Sequence, residues 1–163
     1  MKRLTTLLLP LLISIFLFAC QTQSGKIEAD EVWARPAVLG GNGAVYLRLH
    51  NQTGQPDQLI DAVSTVAQKV ELHKSEVNDQ GVMMMVKQDV IDLPANGEIQ
   101  MQPGGYHIML IGLKQDLKEG DTFEVVLKFR SHPDLILQVA VKGGGMEMQP
   151  AGEHGHGKSS PTP

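Results

Sequence analysis

Gly43-Ala44-Val45-Tyr46-Leu47-Arg48-Leu49-His50 is the stretch on which the fold turns. Val45, Leu47 and Leu49 alternate with Tyr46, Arg48 and His50, the period of two expected of a strand with one buried face and one wet one. Turn-forming residues bracket it, Gly40-Gly41-Asn42 before and Asn51-Gln52-Thr53-Gly54 after. Working outward, Val32-Trp33-Ala34-Arg35 is stopped by Pro36, and Leu59 to Val63 and Val66 to His73 follow as further strands. Asn78-Asp79-Gln80-Gly81 then reverses the chain into Val82 to Lys87. Further on, Phe123, Val125, Leu127 and Phe129 share one side of Thr122 to Phe129, and Leu135 to Val141 alternates again. No segment between Ile27 and Val141 keeps a helical period. The pattern gives about eight or nine short strands and an all-β fold, an antiparallel sandwich or Greek-key barrel. Its length suffices to bury one core.

The ends of the 163-residue chain have a different character. Lys2 and Arg3 precede an apolar run from Leu7 to Phe18 that is short for a membrane span and has the layout of an export signal. The run closes in Leu17-Phe18-Ala19-Cys20, which resembles the lipobox of bacterial lipoproteins. That resemblance implies a signal peptide over 1–20, cleavage before Cys20 and lipid on Cys20; an ordinary secretory signal with an incidental cysteine is the alternative. Residues 21–26 are a polar tether, 27–142 the domain, and 143–163 a Gly-, Pro- and Ser-rich tail that carries Met146, Met148, His154 and His156. The tail is either a plain flexible end or an auxiliary arm for metal. Gln21 rather than Asp after Cys20 points, by analogy with enteric lipoproteins, to the outer membrane.

Charge and cysteine content narrow the function. Taking Lys2 and Arg3 from the 14 basic residues leaves 12 against 18 acidic ones, so the exported chain carries a net charge near −6. Nucleic acids and anionic membrane surfaces are disfavoured as partners; acyl chains would hold the protein to a membrane. Cys20 is the single cysteine. The domain therefore has no disulfide, no cysteine zinc site and no blue-copper centre, which needs a thiolate. Any metal must be held by His, Met, carboxylate or carbonyl.

Two clusters supply such ligands. In Gly104-Gly105-Tyr106-His107-Ile108-Met109, read as a strand, His107 and Met109 project from one face with Cα atoms roughly 6.5–7 Å apart. Upstream, a hairpin brings His73 at the end of one strand near Met83, Met84 and Met85 at the start of the next. Met83 and Met85 share a face and Met84 takes the other. Methionine in an apolar strand ordinarily fills a core. Two imidazoles and two thioethers together, however, form an N2S2 set suited to Cu(I) and poorly suited to zinc, magnesium or calcium.

With those residues in view, His73, Val82-Met83-Met84-Met85, Pro103-Gly104-Gly105-Tyr106-His107-Ile108-Met109-Leu110 and Leu117-Lys118-Glu119-Gly120-Asp121 closely resemble the periplasmic PCu(A)C copper chaperones. Trp33-Ala34-Arg35-Pro36 and Gly43 to Leu47 resemble that family's opening strands. The resemblance implies a cupredoxin-like fold and Cu(I) bound by His73, Met85, His107 and Met109. It also implies copper delivery in the periplasm toward cytochrome c oxidase, with its subunit II and a Sco-type protein as partners. The family's motif is His, ten residues, Met, twenty-one residues, His-x-Met. Here eleven residues separate His73 from Met85, and twenty-one separate Met85 from His107. Met84 fits the first interval and Met85 the second. Met85 is preferred, because an extra residue fits in the Glu76-to-Gln80 turn whereas a slip within the strand would move the sulfur to the other face.

A buffer or resistance protein that only sequesters copper would need the same site as a chaperone. An enzyme is the third class. The sequence shows no Ser-His-Asp order, no paired-carboxylate motif and no H-E-x-x-H, so a binding protein is expected. His50 and His132 are expected to be ordinary surface or turn histidines, and Tyr106 structural.

Overall fold

The alternating segments become ten strands in the computed structural model, which describes residues 25–143. They are β1 (Ile27–Ala34), β2 (Gly43–Asn51), β3 (Asp57–Val63), β4 (Ala67–Val77), β5 (Met83–Gln88), β6 (Ile91–Leu93), β7 (Glu98–Met101), β8 (Tyr106–Leu113), β9 (Thr122–Phe129) and β10 (Leu135–Val141). Ten exceeds the eight or nine expected. The shortest of them, β6 and β7, have three and four residues. The signal sequence, Cys20, Met146, Met148, His154 and His156 lie outside the described residues.

The strands form one continuous hydrogen-bonded ladder in the order β5-β4-β8-β7-β2-β1-β10-β9-β3-β6, with β8 also pairing β2. Neighbours are antiparallel except β1–β10 and the single β7–β8 pair Met101↔Tyr106. The ladder folds over a shared core and the architecture is cupredoxin-like. Val45, Leu47 and Leu49 of β2 are buried as their alternation requires, alongside Ile108 and Leu110 of β8 and Val125 and Leu127 of β9. Each such side chain contributes roughly 1.5–3 kcal/mol on leaving water. Nine strands supply buried residues to this core; β5 supplies none.

Two features differ from the sequence expectation. First, β1 begins at Ile27 rather than near Val32, passing an irregularity between Asp30 and Trp33 where Glu31 adopts φ 50°. A left-handed glutamate is uncommon, so nothing in the residue type announced it. Second, β4 does not end at His73 but continues to Val77, paired with β5 down to Val77↔Met83. Lys74, Ser75 and Glu76 are polar on both faces, so alternation is silent where backbone pairing continues. The turn between β4 and β5 is therefore Asn78–Val82, two residues later than the Glu76-to-Gln80 turn expected. There the Asn78 side-chain oxygen accepts from the Gln80 and Val82 amides, and Gly81 takes φ 76°, where a side chain would be strained.

Candidate metal centre

The centre of the site is the β4–β8 ladder. His73 and His107 are directly opposed across it, with ring centroids 5.8 Å apart. Opposed residues on neighbouring strands share a face. Glu71↔Met109 and His73↔His107 are successive steps along one side of the ladder. On the far edge of β4, Lys87 opposes His73 and Met85 opposes Ser75. Met85 is therefore diagonal to His73 on the same face, and Met83 is two residues further out. The turn before β8, where Gly104 has φ 83°, sets the register that aims His107 and Met109 outward while Ile108 and Leu110 enter the core.

Met83, Met85, His107 and Met109 line a single solvent-open cavity, and His73 packs against His107 beside it. The cavity lies between the β4–β5 hairpin and the β1–β2 connection. Met84 is on the other face, where the Asn78 amide approaches its sulfur at 3.6 Å. Of the six methionine and histidine positions singled out within the described residues, five share one side and Met84 does not. Among the described residues no cluster of three His, Cys, Asp or Glu forms a metal site.

Each imidazole has one nitrogen occupied and one bare. His73 Nε2 lies 2.8 Å from Glu71 Oε2, and His107 Nδ1 lies 3.2 Å from the Gly105 carbonyl oxygen. A carbonyl can only accept, so Nδ1 of His107 carries the proton and its Nε2 carries the lone pair. His73 Nδ1 and His107 Nε2 are both buried and have no hydrogen-bond partner. A buried polar atom without a partner costs on the order of 1–3 kcal/mol. Two of them, on rings 5.8 Å apart at a cavity edged by thioethers, fit a soft cation.

Electrostatics support the same fit. Burial lowers the pKa of His107, with neighbouring His73 adding to the effect against the opposing pull of the Gly105 carbonyl, so the ring is neutral and its lone pair available. The Lys69 ammonium, then the His73 ring, hold the Glu71 carboxyl down at about 2. The Tyr46 ring lies between Trp33, at 4.8 Å, and His107, at 6.3 Å, tilted to both, and the Arg35 guanidinium sits 5.9 Å over it. This wall closes the back of the cavity.

The other histidines have different surroundings. His50 contacts Asp30 at 3.1 Å and Glu98 at 3.5 Å, and His132 receives the Ile27 amide and packs edge-on to Phe129. Tyr106 lies on the face away from His107, under the Lys74 ammonium. Glu71 is the residue that reading for ligands passed over. Its signal was present, since Lys69, Glu71 and His73 recur at every second residue on one face.

Fold and site together define a cupredoxin-like domain with a histidine–methionine cluster on its sheet face. Residues 27–141 match the family described as "Putative lipoprotein LpqE-like", and the chain belongs to this family, of PCuAC type. Among solved structures it is similar to the copper-bound PCuAC domain of PmoF2, with 26% identity and a TM-score of 0.61 over 74% of this chain and 95% of that one. It is also similar to the Cu(I) form of DR1885 from Deinococcus radiodurans, at 29% identity and TM-score 0.54 over 77% and 87%. An uncharacterized protein of Rickettsia prowazekii is 36% identical over 114 residues, 67% of this chain but only 62% of that relative's length. A protein of Leifsonia xyli named "Putative lipoprotein Lxx21020" is 27% identical over 74% of this chain and 72% of its own.

Proposed function

We propose that this protein is an exported lipoprotein that binds Cu(I) through His73, Met85, His107 and Met109 and hands it on to other proteins. The observation that carries the reading is the pair of unpartnered buried nitrogens, His73 Nδ1 and His107 Nε2, beside a cavity lined by Met85 and Met109. Imidazole and thioether are the donors a monovalent soft ion prefers, and hard divalent ions do not. The relatives with copper in their names, PmoF2's domain and Cu(I)-DR1885, support the choice of metal. An open cavity on a sheet face favours transfer over permanent burial.

In this reading cleavage before Cys20 removes the residues ahead of it, Cys20 carries lipid, 21–26 tether the domain of 27–142, and the family and a lipoprotein-named relative support the anchor. The location is the periplasm, on the outer membrane. Delivery is toward the copper centre of cytochrome c oxidase subunit II, together with a Sco-type protein; Met83, Met84 and the tail residues Met146, Met148, His154 and His156 are additional candidate sulfur and nitrogen donors. Binding and release, rather than turnover, is the activity.

The test is Cu(I) titration against a chromogenic chelator with X-ray absorption on the loaded chain. One tightly held Cu(I) with nitrogen and sulfur neighbours is expected, and replacing His107 and Met109 together by Ala should abolish tight binding. An unaltered affinity in that double variant would end the proposal. A copper-loaded chain that restores an apo subunit II fragment separates delivery from mere sequestration.

A further inference from the structure

We propose that Glu71 is a positioning residue for the copper cargo: it holds His73 by its Nε2–H so that Nδ1 is the nitrogen presented to the ion. The inference rests on the copper-binding reading above and extends it to a residue that touches no metal. The Glu71 side chain is only about 10% exposed, and both its oxygens are engaged, Oε1 by the Lys69 ammonium and Oε2 by His73 Nε2. An ionised carboxylate has no proton to give. The shared proton of the His73–Glu71 contact must therefore sit on Nε2, and in the neutral ring Nδ1 is left with the lone pair. Nδ1 is the atom found buried without a partner.

The two rings of the site are thus secured in opposite senses. The Gly105 carbonyl takes the Nδ1 proton of His107 and frees Nε2; Glu71 takes the Nε2 proton of His73 and frees Nδ1. The carboxylate also stops rotation of the His73 ring and makes its free nitrogen a stronger donor, the usual role of a carboxylate behind a metal-bound imidazole. Lys69 pins the carboxylate from the far side, so the column Lys69–Glu71–His73 runs along one face of β4 and ends at the cavity.

The test has two readouts on the purified chain. In the metal-free protein, long-range nitrogen–proton NMR of His73 should report the proton on Nε2, with an exchange-protected imidazole N–H signal; a proton on Nδ1 overturns the proposal. This measurement needs neither copper nor a variant, so it decides the role of Glu71 even if the chain takes up no Cu(I), which would instead sink the functional reading. Glu71→Ala should erase the protected N–H signal and weaken Cu(I) binding by roughly 10–100-fold. Glu71→Gln, whose amide oxygen can still accept from Nε2, should recover most of both. Equal affinity in all three chains, or a Gln variant as weak as the Ala variant, overturns it.

Discussion

Strands β9 and β5 are similar in length and rich in apolar residues, yet they do opposite things. In β9, Phe123, Val125, Leu127 and Phe129 are buried and their neighbours face outward. In β5, Met83, Met84 and Met85 are about half exposed or more, and no residue of the strand is fully buried. Strand β9 lies inside the ladder between β10 and β3, whereas β5 is its edge, held only by β4. Hydrophobicity therefore serves the core in one strand and is displayed in the other. An exposed edge of large apolar residues is a liability for a protein, and the proposed ligand role gives this one, made of methionine beside two bare imidazole nitrogens, a reason to exist.

Substitutions can break this contrast in order of size. Leu127→Ala in β9 should cost about 2–5 kcal/mol of stability, read by urea or thermal unfolding, while the folded fraction still takes up Cu(I). Met85→Ala in β5 should do the reverse. Its melting should stay within about 0.5 kcal/mol of the parent, while its Cu(I) affinity drops by more than the roughly 10–100-fold typical of an outer partner. Met84→Ala, on the opposite face, should leave affinity nearly unchanged; if it is the more damaging of the two, the β5 register is not the one that matters for copper.

The smallest effect belongs to the outer face of β1 and β2, far from either strand. Arg48, then His50, lower the pKa of Asp30. A carboxylate with a depressed folded pKa stabilises the fold above its unfolded value, about 3.9, and loses that contribution as pH falls through the folded value. Asp30→Asn should accordingly flatten the acid limb of the melting-temperature profile slightly and leave copper binding alone. A steeper acid limb in the variant would show that the pairing does not act in this way.

Much of the architecture was legible because burial on one face writes a period of two into the sequence, as in Val45-x-Leu47-x-Leu49 and Phe123-x-Val125-x-Leu127-x-Phe129. What burial does not touch left no trace. Lys74 to Val77 are held in β4 by backbone pairing with β5 without any buried apolar side chain, and the parallel β1–β10 junction has no side-chain signature. Leu117 is buried outside any strand through the bridge Ala37↔Leu117, a contact between distant loops that local pattern cannot express. The candidate site was legible as residue types and as parity along β5 and β8, which put Met85 with Met109 and Met84 apart. The choice of nitrogen on each ring was not legible, because it depends on which acceptor, Gly105 or Glu71, the folded chain brings to it.

The marginal place of β5 has a practical consequence. Three of the four proposed donors are rooted in the β4–β8 ladder, and the fourth is a sulfur on a ribbon that the interior never consults. Damage there, by substitution or by oxidation of Met85 to its sulfoxide, would leave a chain that expresses, melts and scatters light like the intact one yet arrives empty-handed. Quality control that watches for misfolding, in a cell or in a laboratory, would pass it.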